Sequence, residues 1–364
     1  MKKKVCIVAT SLDNGGAERS AATQSIILDS LGFEVFIVTV DSGIAYNYKG
    51  VLFDLGSFKK EKDSFAGRIK RLYIFKKFLK RNKIDLIIDN RPRNQWYREF
   101  ILTKFIYKYN TIYVIHSFEK ALAFTKYKWL NTYLYSNERM IAVSNKAAEK
   151  FTQLYNLNKV STIYNAFQFD DILQQSNQVV DLSNLKNYII YYGRIHDKAK
   201  NLKLLLKAYK LSSLSSQNIK LLVLGDGPDL NEIKDYSKGL NIDDNVVFKA
   251  FSKKPFPYVK NAIFSVLTSR SEGFAMVLPE SMCLGTPVIS VDCEAGPKEI
   301  IKNLYNGLLV ENCNPDALAN AMDRFINDKY LYKKCANNAA LDIDRFSISK
   351  IKEEWRDLIL EFDT

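Results

Sequence analysis

Two doubly wound α/β domains, each a parallel sheet covered on both faces, are the architecture this sequence predicts. Three observations lead there. The chain has 364 residues, more than one hydrophobic core usually serves. Short apolar runs rich in β-branched residues alternate with segments of helical period, the pattern of strands buried on both faces. Those runs fall into two sets, one before about residue 170 and one after about residue 186.

Taken in order, VCIVAT, FEVFIVTV, IDLIID, TIYVIHS and MIAVS read as strands of the first set, and NYIIYYG, IKLLVLG, NVVFKA, AIFSVLTS, TPVISVD and NGLLVE as strands of the second. Between them AFQFDDILQQSNQVVDLSNLKN is polar and carries no strand signal. Residues 1–170 are therefore expected to form one domain, 171–186 a linker and 187–345 a second domain. The tail ISKIKEEWRDLILEF, within 346–364, is an amphipathic helix whose docking domain the pattern leaves open.

Composition narrows the class. Apolar residues make up 47% and aromatics 13%, enough for burial and too much for disorder. Nowhere do about 18 consecutive residues read apolar, and MKKKVCIVATSLDNGG runs directly into a strand-and-turn pattern, so cytoplasmic residence is expected. Cys6, Cys283, Cys293, Cys313 and Cys335 are odd in number and lack C-x-x-C pairing, which fits reduced, mostly buried thiols and offers no metal site. Net charge is +13, and much of the excess lies in 58–83, where Lys59, Lys60, Arg68, Lys76, Lys77 and Lys80 alternate with Phe65, Ile69, Tyr73 and Phe78. This reads as a basic amphipathic helix. A core-facing helix with a solvated outer face explains it; so does attraction to an anionic membrane, with Ile74 and Phe78 expected opposite the main apolar stripe. No nucleic-acid motif accompanies the charge.

Ligands of open parallel sheets bind at the carboxyl ends of the strands, and four such ends hold unusual residues. Gly15 and Gly16 follow the first strand and open a helix expected near Ala17, where free amides favour an anion. His116 closes TIYVIHS and is one of two histidines in the chain. Gly193 ends a strand, Arg194 follows, and Lys200 stands at the next helix; a fork and a point charge flanking a turn suit a diphosphate. In SEGFAMVLPE, 271–280, Glu272 belongs to a loop, Gly273 permits close approach, and Pro279 is tolerated only in a first helical turn, so the helix starts inside the stretch. Glu272 and Glu280 then do not share one face, and the amides of Phe274 and Ala275 lie between them. Carboxylates of this kind accept sugar hydroxyls while amides face phosphate.

Glu272-x7-Glu280, followed by CLGTPVIS and NGLLV and preceded in order by NGGAER, AVSN, IYNAF and GRI…KN, resembles the signature of family 4 retaining glycosyltransferases of the GT-B fold, over nearly the whole chain. The resemblance implies two Rossmann-like domains facing each other across a cleft, the first binding acceptor and the second a nucleotide sugar. It implies catalytic roles for His116, Arg194, Lys200 and Glu272, with Glu272 and His116 against the reacting sugar and Glu280 against the ribose. Arg194 and Lys200 would neutralise the donor diphosphate, and Gly15, Gly16, Gly193, Gly273, Phe274 and Ala275 would complete the donor site. One departure stands out: EAGPKEII replaces a form with two glycines before the proline, which puts the details around Glu294 and Gly296 in question.

Such a layout needs no cofactor and no metal, because fixed cations stabilise the leaving nucleotide diphosphate. The lone Asp-x-Asp, in LDIDR at 341–345, follows a helical segment and reads as a structural turn. No second carboxylate is placed as a covalent nucleophile, which favours retention by same-face attack. Resemblance to bacterial members with GP-x-EII and NGLLV segments implies a UDP-linked hexose or N-acetylhexosamine as donor and a lipid-linked saccharide of surface polysaccharide assembly as acceptor. Other classes fit less well. A Rossmann dehydrogenase needs G-x-G-x-x-G, which NGGAERS lacks; a nucleotide-sugar epimerase of similar shape needs no acceptor surface; a non-catalytic sugar-nucleotide binder need not keep both Glu272 and Arg194.

Overall fold

A computed structural model describes residues 2–13, 15–59, 64–183 and 185–362 and divides the chain into two compact units. Unit 1 comprises Met1–Phe167 and Ile348–Thr364; unit 2 is Gln168–Ser347.

Unit 1 holds strands β1 (Lys4–Ala9), β2 (Glu34–Thr39), β3 (Val51–Asp54), β4 (Leu86–Asp89), β5 (Asn110–Ile115), β6 (Arg139–Ala142) and β7 (Lys159–Thr162). They form one parallel sheet in the order β3-β2-β1-β4-β5-β6-β7. The order reverses beside β1, which opens a crevice at the carboxyl ends of β1 and β4. Helices α1 (Gly16–Ser30), α2 (Phe65–Asn82), α3 (Trp96–Ile101), α4 (Lys120–Ala123), α5 (Lys128–Tyr135) and α6 (Asn145–Tyr155) connect the strands, and a π-helical turn at Leu102–Ile106 follows α3.

Unit 2 opens with α7 (Phe169–Ser176). Its strands β8 (Tyr188–Tyr192), β9 (Lys220–Leu224), β10 (Val246–Lys249), β11 (Ser265–Leu267), β12 (Val288–Val291) and β13 (Leu308–Val310) run parallel in the order β10-β9-β8-β11-β12-β13. The switch falls between β8 and β11. Alternation along β8 divides the core: Ile189 and Tyr191 pack on one face with Leu205, Val223 and Phe325, while Tyr188, Ile190 and Tyr192 pack on the other with Leu185, Leu222 and Val259. Helices α8 (Asp197–Lys200), α9 (Leu202–Leu211), α10 (Leu230–Gly239), α11 (Phe256–Lys260), α12 (Val277–Cys283), α13 (Pro297–Ile300), α14 (Pro315–Asn327) and α15 (Lys329–Asp342) complete the unit. The chain then returns to unit 1 as α16 (Ile348–Leu360).

Two expectations change and one point left open is answered. The segment expected to be a linker begins inside α7, which packs on α11 and α12 with Ile172 and Ser176 buried. Asp170 and Asp171 in its first turn suit a helix N-terminus, so polarity here marked a short helix. The tail helix docks on unit 1: α16 packs on α1 and buries Ile351, Trp355, Leu358 and Ile359, and its first amide, that of Ile348, donates to the Phe167 carbonyl.

The second change concerns α2. Of the basic segment 58–83, residues 60–63, Lys60 included, lie outside the described residues. Phe78 does not point to solvent. Its ring stacks on Phe53 at 4.4 Å and meets Phe36 edge-on at 6.0 Å, on the same side as the buried Phe75 and Leu79. Ile74 is half-buried. The exposed apolar residues are Phe65, Ile69 and Tyr73, four apart and hence on one face. Reading every apolar residue into one broad stripe merged these two separate faces.

Candidate functional site

In unit 2, two loops meet beside the switch point. The chain leaves β8 through Gly193 and Arg194, turns through the single turn of α8 and ends it at Lys200; Asn201 is left-handed and starts α9. Lys200 therefore closes a short turn before the long helix instead of opening that helix. The chain leaving β11 straps onto this turn: the Thr268 hydroxyl donates to the Lys200 carbonyl at 2.8 Å, and the Arg270 amide donates to the Ala199 carbonyl at 2.9 Å. The Arg270 guanidinium also donates to Asn201 Oδ1 at 2.8 Å.

This strap brings Glu272 to Lys200. Lys200 Nζ and Ser269 Oγ both donate to Glu272 Oε1, each at 2.6 Å. The other oxygen, Oε2, accepts no hydrogen bond among the described residues. One oxygen is pinned and the other is presented. Arg194 is exposed on the loop that ends at Lys200, with its backbone carbonyl held by the buried Tyr191 hydroxyl at 2.9 Å. Burial, with Glu272 adding to it, raises the Tyr191 hydroxyl well above its ordinary value. Burial first and Glu272 second also push the Cys293 thiol up to about 12, so it stays a neutral thiol.

Helix α12 starts at Val277, three residues after Phe274, and carries Pro279 and Glu280 in its opening turns with Glu280 buried. Its first amides have no intrahelical acceptor. Glu272 and Glu280 thus sit in loop and helix, as Pro279 indicates. Gly273 is half-buried, and Phe274 and Ala275 are buried. Ala275 has φ 66, an unusual conformation for a residue with a Cβ. Gly296 locks the loop from the far side: at φ 94, a Cβ there would lie 3.0 Å from the Phe274 carbonyl carbon and oxygen and 3.3 Å from Glu272 Cβ. The single glycine of EAGP is therefore the one the loop requires.

Four contributors were not singled out from sequence: Ser269, Thr268, Gly225 and Gly227. A Cβ on Gly225 would collide with the Gly193 carbonyl and one on Gly227 with that of Ile195, so the loop after β9 lies directly on the loop after β8. GDGP at a strand end was the available signal. Asp342, in the Asp-x-Asp, accepts from Lys302 Nζ at 2.7 Å and Asn306 Nδ2 at 3.0 Å, which engages it in holding the chain.

In unit 1, Gly15 caps α1 and Gly16 is its first residue, one position before the expected start. A Cβ on Gly15 would strike the Glu18 carboxylate. His116 follows β5 and its Nε2 lies 2.7 Å from Asn90 Oδ1; Asn90, after β4, exchanges hydrogen bonds with Gln24 of α1 at 2.8 and 3.1 Å. In the tautomer that donates from Nε2, Nδ1 is a buried lone pair with no partner among the described residues. Burial first, then the Arg93 guanidinium, pushes His116 down to about 3 against the opposing pull of Asp89, so the imidazole is neutral at ordinary pH. Arg93 and Arg91 are themselves buried; Arg91 pairs with Asp89 at 2.6 Å, and Arg93 donates to the Val114 carbonyl at 2.8 Å.

Comparison with known proteins adds three findings. Residues 14–170 match the model described as Glycosyltransferase Family 4, and residues 174–342 match that described as Glycosyl transferases group 1. The chain is 27% identical, over 97% of its length and 98% of the relative's, to the N-acetylgalactosamine-N,N'-diacetylbacillosaminyl-diphospho-undecaprenol 4-alpha-N-acetylgalactosaminyltransferase of Campylobacter jejuni. It is 24% identical, over 99% of its length and 100% of the relative's, to the amylovoran biosynthesis glycosyltransferase AmsD of Erwinia amylovora. Among solved structures it resembles HepE of Anabaena in complex with UDP and glucose, with a TM-score of 0.78 at 18% identity over 99% of this chain and 100% of that one. TarM of S. aureus, solved in a complex that includes UDP, gives the same TM-score at 15% identity over 100% of both chains. Both likenesses carry the GT-B fold.

Proposed function

The chain belongs to glycosyltransferase family 4, and on that premise we propose that it is a retaining, metal-independent enzyme moving a hexose or N-acetylhexosamine from a UDP-linked donor to a hydroxyl of a lipid-linked saccharide in bacterial polysaccharide or glycan assembly. The observation that supports it best is Glu272, with one carboxylate oxygen held by Lys200 and Ser269 and the other open, while Arg194 stands exposed on the loop that carries Lys200.

Unit 2 takes the donor in this reading. Arg194 and Lys200 face the diphosphate, Glu272 Oε2 accepts a hydroxyl hydrogen of the transferred sugar, and Glu280 holds the ribose, with Gly193, Gly273, Phe274 and Ala275 shaping the backbone around it. The bond from the anomeric carbon to the diphosphate oxygen breaks, its electron pair leaves with the nucleotide diphosphate, and the two cations stabilise the charge that develops. The acceptor hydroxyl attacks the same face and passes its proton to the departing phosphate. Unit 1 takes the acceptor, with Gly15 and Gly16 at the start of α1 offering free amides to an anion and neutral His116 acting as a hydrogen-bonding group and not as a cation.

The lipid-linked acceptor is supported by the diphospho-undecaprenol substrate for which the Campylobacter relative is named, and UDP by the ligands in the HepE and TarM structures. No helix among the described residues is long and apolar enough to cross a membrane. With an acceptor carried by a lipid, we place the enzyme peripherally on the cytoplasmic face. Screening nucleotide sugars for hydrolysis and thermal stabilisation tests the donor, and the anomeric configuration of the product by NMR tests retention. Turnover is expected to survive EDTA; its loss on chelation and recovery with a divalent ion would overturn the metal-independent clamp.

A further inference from the structure

The large exposed apolar side chains of unit 1 are not scattered. Many of them fall between residues 96 and 133, in α3, the π-helical turn, α4 and α5. Trp96 is 51% exposed, Phe105 55%, Trp129 68% and Tyr133 60%. Surface aromatics occurring singly need no explanation, but these are joined. Trp96 meets Tyr127 edge-on at 6.4 Å, and Lys104 Nζ lies 4.3 Å from the centre of the Tyr133 ring, so α3 and the π-helical turn share one surface with α5. Arg68 donates to the Tyr97 hydroxyl at 3.3 Å, which carries the surface on to α2 and its exposed Phe65, Ile69 and Tyr73.

Charge on this surface is predominantly positive. Residues 120–135 contain Lys120, Lys126 and Lys128 and no acidic residue, with Glu119 standing just before them at the α4 cap. The only acid in 96–106, Glu99, is buried and paired with Arg91 and Arg98. Lysines stand among the rings, as Lys126 does 5.1 Å from the Tyr127 centroid. A docking protein would favour a continuous apolar centre with charge at its rim. Amphipathic Trp and Tyr interleaved with Lys instead match the headgroup layer of a membrane, where rings enter the acyl boundary and cations meet anionic phosphates.

We infer that the α3–α5 surface, centred on Trp96, Trp129 and Tyr133 and bordered by the exposed face of α2, seats unit 1 on an anionic phospholipid bilayer. This rests on the proposed lipid-linked acceptor and says which face meets the lipid that carries it.

The chain supplies its own probe: Trp96 and Trp129 lie on the surface, and the third tryptophan, Trp355, is buried in α16. Phosphatidylglycerol-containing vesicles without any saccharide should blue-shift the emission of the full chain, and brominated acyl chains should quench it; phosphatidylcholine vesicles or half-molar salt should largely abolish both effects. Trp129→Ser with Tyr133→Ser, and separately Lys126→Glu with Lys128→Glu, should each lower vesicle partition at least tenfold with UDP-induced thermal stabilisation retained. Wild-type emission unmoved by anionic vesicles would overturn the inference. So would variant binding within twofold of wild type, or loss of binding only on Lys76→Glu with Lys77→Glu in α2. Vesicle binding without transfer to a polyprenyl-diphosphate saccharide would end the acceptor reading alone, and transfer to that lipid without vesicle binding would end the inference about this surface.

Discussion

At Glu272 a hydroxyl and an ammonium group share one carboxylate oxygen, and this division of labour sets what substitution should do. Lys200→Ala removes a cation proposed for the leaving diphosphate and also releases Glu272, so turnover should fall on the order of 10²-fold or more. Glu272→Gln should act mainly on turnover, whereas Glu280→Gln should weaken plain UDP binding. Calorimetric UDP titration of both checks this, and equal losses would contradict the assigned roles. His116 makes a separate prediction about pH. Its native value of about 3 lies below the ordinary 6.5, so between these the unfolded chain binds a proton that the folded chain does not. Its neutral form therefore favours folding fully above about pH 6.5, and that contribution is lost as pH falls toward 3. Urea midpoints should drop between about pH 7 and about pH 5, and the drop should be smaller in His116→Asn. His116 was legible at its strand end but its partners were not, because Gln24, Asn90 and His116 come from three elements that only the sheet brings together.

At the scale of elements, the loop from Glu272 to Ala275 is bracketed by two residues with positive φ. Gly296→Ala puts a methyl group against the Phe274 backbone at φ 94, so it should cost about 1–3 kcal/mol and lower activity together with stability. Ala275→Gly has two opposed terms: relief of a left-handed alanine, about 1–2 kcal/mol, against added chain entropy and a lost buried methyl, each about 0.5–1 kcal/mol. The net change should stay within about 1 kcal/mol, with the thermal midpoint nearly unmoved and Gly296→Ala melting well below wild type. The strands other than β3 and β7, and the start of α12, were legible because continuous apolar runs and a proline restrict the chain locally; β3 (VLFD) and β7 (KVST) are short and only half-buried, with no such run. The core face of α2 was not, since Phe78 is chosen by Phe53 and Phe36 on neighbouring strands. Nor was α7, whose Ile172 reads as an isolated apolar residue until α11 and α12 cover it.

For the whole molecule, the discontinuity of unit 1 matters most. Truncation after Ser347 strips Trp355, Leu358 and Ile359 from α1 while leaving unit 2 entire. Calorimetry of that truncation should show unit 1 melting earlier or not at all and unit 2 still stabilised by UDP; simultaneous loss of both transitions would contradict the division. The two-domain plan was legible from the two sets of strands, but the home of the tail was not, because an amphipathic helix declares a face and not its partner.

Synthesis on the ribosome turns that same return of α16 into a question of timing. The first 167 residues emerge early, yet the helix that covers α1 is made only after the whole of unit 2. At about 5–20 residues per second, the intervening unit takes on the order of ten to forty seconds to emerge. Throughout that interval the nascent unit 1 presents an uncovered apolar groove, a natural station for a holding chaperone, and unit 2 is free to finish first. Unit 1 is begun before unit 2 and completed after it.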